Sequence, residues 1–370
     1  MMKFLLNLPT HLILIITFVY SFKGDGQVDL LRSEIDKIIR FDTDIDFRNT
    51  PGFLVAIIDH DSTYYLSFGT KVRKEKSDFT KDDIFEVGSV TKVFTASLFS
   101  ILISEGKINE SDFVNDYLPS QYRNPRLSKL TVNQLLHHQS GLPKRPLFFG
   151  KKEKIAQNPY AHYQESDLLE FYRDYVPNEK TFEYSHTNYA LLEIILSKVT
   201  GKNFQDILTE KLLKPLSLTS TFTDFPEARK NFIAQGYDKA LKQVPPWSFA
   251  SFKGSEAVKT SASDMVIFLK ANMNMSGIPL ERVLNKNFTS EQFRSFNNNL
   301  SISMGWHNVN KSNFNIVMHT GMTSGHHAFI GMVRETKTAV VIFSNSSIGA
   351  QDLGFQILRL INFNWKRIHS

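Results

Sequence analysis

Phe85-Glu86-Val87-Gly88-Ser89-Val90-Thr91-Lys92-Val93-Phe94-Thr95-Ala96 runs into a helical pattern that continues to about Ile103 and stops at Gly106. A serine at a helix start and a lysine three positions on share one helix face. The helix N-terminus adds unpaired backbone N–H groups and a field that favours developing negative charge. A serine hydroxyl is a weak nucleophile until a neighbouring base takes its proton. A lysine can be that base once burial or another cation lowers its pKa. Ser89 and Lys92 are therefore a candidate nucleophile and activating partner. Spacing alone does not decide the matter: Ser104-Glu105-Gly106-Lys107 repeats it, although Gly106 makes that copy a helix end.

Upstream, residues 28–41 place Leu30, Leu31, Ile35, Ile38 and Ile39 at helical spacing. Pro51-Gly52 then punctuates, and 53–59 and 62–69 read as two strands joined by a tight turn at Asp59-His60-Asp61. Downstream, the chain to about Ala250 is helix-rich, with 191–199 and 204–213 its clearest helices, separated by Gly201. Strand character returns at 314–319, 328–334 and 339–345, and 353–361 reads as a last helix. This order predicts an α/β chain of the α+β type: an antiparallel sheet built from both chain ends, flanked by N- and C-terminal helices, with an inserted all-helical region. The expected division is one unit over 27–370, with a sheet part at about 27–88 and 250–370 and a helical part at about 89–249.

The bulk numbers fit a folded domain. In 370 residues, 42% are hydrophobic and 22% charged, which excludes disorder and coiled coil. There is no cysteine, so a disulfide framework, a thiolate metal site and a cysteine nucleophile are excluded. The net charge of +6 is scattered apart from short clusters at 71–76 and 151–154, so no nucleic-acid stripe is expected. Met1-Met2-Lys3 precedes an apolar run densest from Leu12 to Tyr20, followed by small residues. Residues 1–26 are expected to be a secretory signal, with an uncleaved anchor as the alternative. The run is short for a membrane span, so a periplasmic or secreted protein with no stable span after cleavage is expected.

Several further segments place the chain in a family. The stretch around Ser89 resembles the nucleophile region of the serine β-lactamase and penicillin-binding-protein superfamily, in the branch of class C β-lactamases, D-alanyl-D-alanine carboxypeptidases and related esterases. Leu135-Leu136-His137-His138-Gln139-Ser140-Gly141-Leu142-Pro143 is similar to a turn of that branch. Tyr184-Ser185-His186 sits where its Tyr-x-Asn motif belongs, and His319-Thr320-Gly321 where a Lys/His-Thr-Gly motif belongs. Gly254 to Phe268 is similar to a further segment, and the likeness covers roughly residues 30 to 365.

The resemblance implies a β-lactamase/transpeptidase-like fold and an acyl-enzyme on Ser89. Tyr184 would shuttle the proton to the leaving group, with neighbouring Lys92 favouring its charged form. Thr320 would bond the substrate, Gly321 would let it approach the strand, and the N–H groups of Ser89 and Met322 would form the oxyanion hole. No cofactor and no metal are implied. Small molecules or peptides, peptidoglycan-derived or β-lactam, are the implied partners.

Two positions depart from the family pattern. His186 replaces the usual asparagine, and an imidazole titrates near neutral pH. If it contacts Lys92, His186→Asn is expected to raise acylation and flatten the pH profile between about 5 and 8. Asn188 fits the segment's usual Asn-Tyr step and is not expected to substitute. His319 replaces the fixed cation that attracts a β-lactam carboxylate, which points toward carboxypeptidases and related hydrolases. No Ser-Asp-Asn triplet, Gly-x-Ser-x-Gly elbow, phosphate loop or His-Glu-x-x-His helix is present. His137-His138 and His326-His327 lack carboxylates at ligand spacing. Three readings stay open: a D-peptide hydrolase, an esterase or β-lactamase, and a sensor that keeps its acyl group. The polar, aromatic stretch 146–165 is a candidate lid.

Overall fold

The computed structural model describes residues 25–43, 45–146, 149, 158–177, 182–289, 292–297, 299–311, 314–349 and 351–369. Residues 1–24 of the expected leader, and 147–148 and 150–157 of the candidate lid, lie outside the described residues.

α1 (Asp25–Phe41) precedes β1 (Gly52–Asp59) and β2 (Ser62–Gly69), which pair antiparallel with Gly52 opposite Gly69. β3 (Ile84–Glu86) leads to the serine turn. The helical block holds α2 (Thr91–Ser104), α3 (Val114–Tyr117), α4 (Val132–Leu136), α5 (Glu165–Asp174), α6 (His186–Thr200), α7 (Phe204–Leu208) and α8 (Lys214–Leu216). The short strands β4 (Gly236–Tyr237) and β5 (Gln243–Val244) pair with each other. Then come α9 (Lys253–Glu256), β6 (Lys259–Ser261), α10 (Ala262–Asn272) and α11 (Leu280–Asn285). The chain closes with β7 (Arg294–Asn297), β8 (Leu300–Ser303), β9 (Trp306–Lys311), β10 (Phe314–Met322), β11 (His327–Val333), β12 (Thr338–Ser344) and α12 (Gln351–His369).

Among the described residues, eight strands form one antiparallel sheet in the order β2-β1-β12-β11-β10-β9-β8-β7. The two chain ends meet where β1 pairs β12, from Phe53 opposite Ser344 to Asp59 opposite Thr338. The sheet built from both ends is thus observed, and its faces explain the strand sequences. Phe53, Val55 and Ile57 of β1 pack with Ile35 and Ile39 of α1 and Leu353 and Ile357 of α12. Leu54, Ala56 and Ile58 join the core shared with the helical block. A strand covered on both faces reads as a continuous apolar run rather than an alternating one.

β7, β8 and β9 were not expected. Their stretch is rich in asparagine and serine, and they extend the sheet away from its doubly covered centre, so they lack the apolar run that marks β1 and β12. The helix expected at 204–213 is interrupted after Leu208 by a π-turn over Thr209–Leu213. α2 is buried along nearly its whole length, from Thr91 to Leu102, as a helix apolar on all sides must be. Lys92 therefore enters the core with its helix.

Candidate active site

Ser89 lies in a 3₁₀ turn, Gly88–Val90, between β3 and α2. Two glycines let the sheet edge close over this turn. Gly88 has φ +48°, and a Cβ there would stand 2.8 Å from the Met322 backbone N. A Cβ on Gly321 would stand 1.9 Å from the Val87 carbonyl oxygen and 2.8 Å from the Ser89 N, closer than real contacts allow. The backbone of Met322 is thereby held beside the serine turn, while its side chain is exposed. Alternation along β10 puts Val317 on the face of the helical block and Ile316 and Met318 on the other. His319 shares the parity of Val317, and Thr320 that of Met318. Among the described hydrogen bonds, the Thr320 hydroxyl makes none to the cluster around Ser89.

The polar centre converges on one oxygen. Lys92, fully buried, places Nζ 3.1 Å from Ser89 Oγ, 3.1 Å from the Ser255 carbonyl, 3.1 Å from His186 Nδ1 and 2.8 Å from Glu256 Oε1. Ser89 Oγ donates to the same Glu256 Oε1 at 2.6 Å, and His186 Nδ1 also lies against it. One proton assignment leaves only the Lys92–His186 approach without a hydrogen bond. His186 donates from Nδ1 to Glu256, and the three ammonium protons go to Ser89, Ser255 and Glu256. α9 is held in place by Thr95 Oγ1 donating to the Gly254 carbonyl at 2.6 Å and Gly254 N–H donating to Glu193 at 3.0 Å.

Tyr184 stands beside Ser89, with its ring 5.2 Å from Lys92 Nζ. His138 positions it. That residue holds a left-handed φ of 57°, its carbonyl accepts from Glu183 N–H at 3.1 Å, and its Nδ1 accepts from Ser185 N–H at 3.0 Å. Strained backbone of this kind persists where its surroundings over-determine it. The His138 and Tyr184 rings stand 4.6 Å apart. His319 Nδ1 donates to the Thr320 carbonyl at 2.7 Å, so its Nε2 carries a free lone pair, buried and without a partner. His307 of β9 stacks on it at 4.8 Å. Asn188 is engaged elsewhere, with Ser140 and the Leu135 carbonyl. His137 and His326 meet backbone carbonyls. Among the described residues no group of three or more histidines and carboxylates could hold a metal.

Burial sets the charges. It lowers Lys92 to about 8, against the pull of Glu256. Burial alone would raise Glu256, but Lys92 and His186 outweigh it and hold the carboxyl well below its usual range. Burial, then Lys92, lowers His186 to about 4. Burial lowers His138 and His319 strongly. Tyr184 is pushed well above 10 by burial and then by Glu256. At neutral pH the centre holds one cation, one anion, neutral imidazoles and a neutral phenol. Two expectations are corrected here. Lys92 does not make Tyr184 a phenolate, because burial and then the Glu256 carboxylate hold the phenol neutral. His186 does contact Lys92 but does not titrate between pH 5 and 8. His186→Asn is therefore expected to leave the shape of the acylation profile unchanged over that range, measured by labelling rates from pH 5 to 8. A changed shape would put the imidazole's titration back in that window.

Glu256, His138 and His307 were not picked out in the sequence. The only local signal for Glu256 is an acid among small and apolar residues in Gly254-Ser255-Glu256-Ala257-Val258.

A serine at the head of a buried helix, a lysine one turn on and a sheet edge closed over both define a serine β-lactamase-type fold. The Beta-lactamase family profile matches residues 40–360, and the chain belongs to that family. The motif resemblance is borne out at that level. A Pseudomonas fluorescens β-lactamase is 28% identical over 235 residues, 63% of each chain, so this protein spans under two thirds of that relative's length. The structure of a class C β-lactamase from Rhodobacter sphaeroides superposes with a TM-score of 0.76 at 20% identity, covering 90% of this chain and 99% of the other. A β-lactamase/D-alanine carboxypeptidase from Pseudomonas syringae gives 0.75 at 20% identity, covering 90% and 98%. These likenesses bear out the fold. Among the described residues no helix is long and apolar enough to cross a membrane.

Proposed function

We propose that this chain is a serine hydrolase that forms an acyl-enzyme on Ser89, with a D-amino-acid peptide of the D-alanyl-D-alanine type as its substrate. One observation carries the reading: Ser89 Oγ, at the head of a buried helix, is within hydrogen-bond distance of Lys92 Nζ and Glu256 Oε1. The serine attacks the carbonyl carbon, and the N–H groups of Ser89 and Met322 receive the oxyanion. Tyr184 stands beside the leaving group. His186 orients Lys92, and Gly321 with Thr320 and His319 forms the strand edge along which a substrate lies.

The neutral His319 supplies no fixed cation at the strand edge for a substrate carboxylate, so that role falls to other cations. Lys144 and Arg145 are exposed, and the Lys144 carbonyl accepts the His186 N–H at 2.9 Å, which puts two cations near the rim for a peptide carboxylate. The name of the Pseudomonas syringae protein includes D-alanine carboxypeptidase, which agrees with this choice. Export rests on the pattern of residues 1–26.

The test is intact-mass analysis after incubation with a fluorescent penicillin and a fluorescent fluorophosphonate, together with turnover of a panel of D-peptides and short esters. Ser89→Ala is expected to abolish every adduct and to lower turnover on the order of 10⁴-fold or more. Turnover retained in that variant overturns the reading. An adduct that forms but does not decay would instead favour a sensor; the convergence of Ser89, Lys92 and His186 on one oxygen gives that alternative its basis.

A further inference from the structure

The hydrogen bonds around Ser89 have a direction. A hydroxyl carries one proton, and the Ser89 proton points at Glu256 Oε1, 2.6 Å away. Lys92 Nζ, at 3.1 Å, is the donor in its own contact with Ser89 Oγ, and Tyr184, a neutral phenol, still holds its own proton. Both groups that the serine would need as bases therefore face it with protons. Among the described residues, the Glu256 carboxylate is the one unprotonated acceptor in hydrogen-bond contact with Ser89 Oγ.

We propose that Glu256 is the catalytic base of this site: its carboxylate takes the Ser89 proton, while Lys92 remains an ammonium that anchors the carboxylate and supplies the leaving group's proton. The inference rests on the Ser89 acyl-enzyme reading above. In acylation the Oγ–H bond breaks toward Glu256 Oε1 as the Oγ–C bond forms, and the carbonyl electron pair moves onto oxygen. On collapse the bond from carbon to the leaving nitrogen or oxygen breaks, and that atom takes a proton from Lys92 Nζ. Lys92 recovers it from the Glu256 carboxylic acid 2.8 Å away. Deacylation runs the relay backwards: Lys92 first passes a proton to Glu256, the neutral amine so formed takes the proton of the attacking water, and Glu256 returns its own to Ser89 Oγ as the ester breaks.

Fluorophosphonate labelling isolates the first step, because fluoride leaves without a proton. The titratable groups around Glu256 are Lys92 on α2, His186, Tyr189 and Glu193 on α6, His319 on β10, and Tyr160 and Tyr184, with Arg145 and Lys144 farther off. Of these, Lys92 at about 8 and Glu193, raised by burial to about 7, titrate between pH 5 and 9. Glu193→Gln removes the second. With Glu256 as base, the labelling rate of the Glu193→Gln protein stays level from pH 5 to 7.5. Glu256→Gln lowers that level about 10²- to 10³-fold, and Glu256→Asp, which keeps a carboxylate, loses roughly tenfold less than the glutamine variant does. With Lys92 as base, the rate instead climbs tenfold per pH unit up to about 8. Glu256→Gln would then label as fast as the parent or faster at neutral pH, since Lys92 loses the anion that keeps it protonated. Either result overturns the inference, and the Glu193→Gln profile decides even if the Glu256 variants fail to fold. Labelling that survives Ser89→Ala overturns the acyl-enzyme reading as well. Loss in Ser89→Ala with full-rate labelling in Glu256→Gln overturns this inference alone.

Discussion

Lys92→Met is expected to cost about 3–5 kcal/mol of stability and to lower the labelling rate at Ser89 on the order of 10³-fold. Methionine fills a similar volume, so the loss is electrostatic rather than a cavity effect. Glu256 is buried, and Lys92 is the first of the charges that hold its carboxyl down. Without the ammonium, the carboxylate stays charged in a low dielectric or takes up a proton, and the protonated acid no longer accepts from Ser89. Urea titration at constant slope measures the first effect, and fluorophosphonate labelling the second. Adding Glu256→Gln to Lys92→Met is expected to restore part of the stability and none of the rate, which is the signature of a coupled pair. A Lys92→Met protein as stable as the parent would show that the two charges are not coupled as the 2.8 Å contact implies.

Acid is expected to unfold this protein well before its carboxylates are protonated. His138, His186 and His319 are buried and neutral, each with its pKa lowered first by burial. In the unfolded chain each binds a proton near pH 6.5, while in the folded chain it does so only at a lower pH, near 4 for His186. The unfolded state therefore holds more protons below 6.5, and stability falls as pH falls. Each group costs about 1.4 kcal/mol per pH unit; His307 and His327, lowered to about 4 by burial, add two more, and Glu193, raised to about 7, offsets one, leaving about 5 kcal/mol per unit. Against a total of about 5–15 kcal/mol, the midpoint should be reached within a few pH units below 6.5. Glu256 adds to the loss only further down, below the ordinary carboxylate range. Urea titrations at pH 7.0, 6.0 and 5.0 give the slope directly. His319→Asn should reduce it by the share of one proton; a stability flat from pH 7 to 5 would mean these imidazoles are protonated in the folded state.

Local pattern was enough for much of the fold. The run Phe53–Ile58, the late strands and the two terminal helices are read from period and punctuation, and each is observed within a few residues of its expected ends except the last helix, which runs eight residues past Ile361 to His369. β7 to β9 escaped because their sequence is polar and their place in the sheet is owed to pairing with β10, not to an apolar face. His307 was hidden with them.

The candidate pair Ser89 and Lys92 was legible without tertiary information once the neighbouring motifs were read with it, since three residues on a helix start fix their mutual geometry. The family was likewise legible in short motifs whose order in the chain is itself the signal. Glu256 is different. It stands 167 positions from Ser89, in a segment whose residues favour close packing, and only the closing of α9 against α2 and α6 brings its carboxylate to the serine. The charges of Lys92, Tyr184 and His186 are equally tertiary. Residue type sets where each group titrates in water, but burial and a neighbour contributed from a distant element decide which of them holds a proton when the serine reacts.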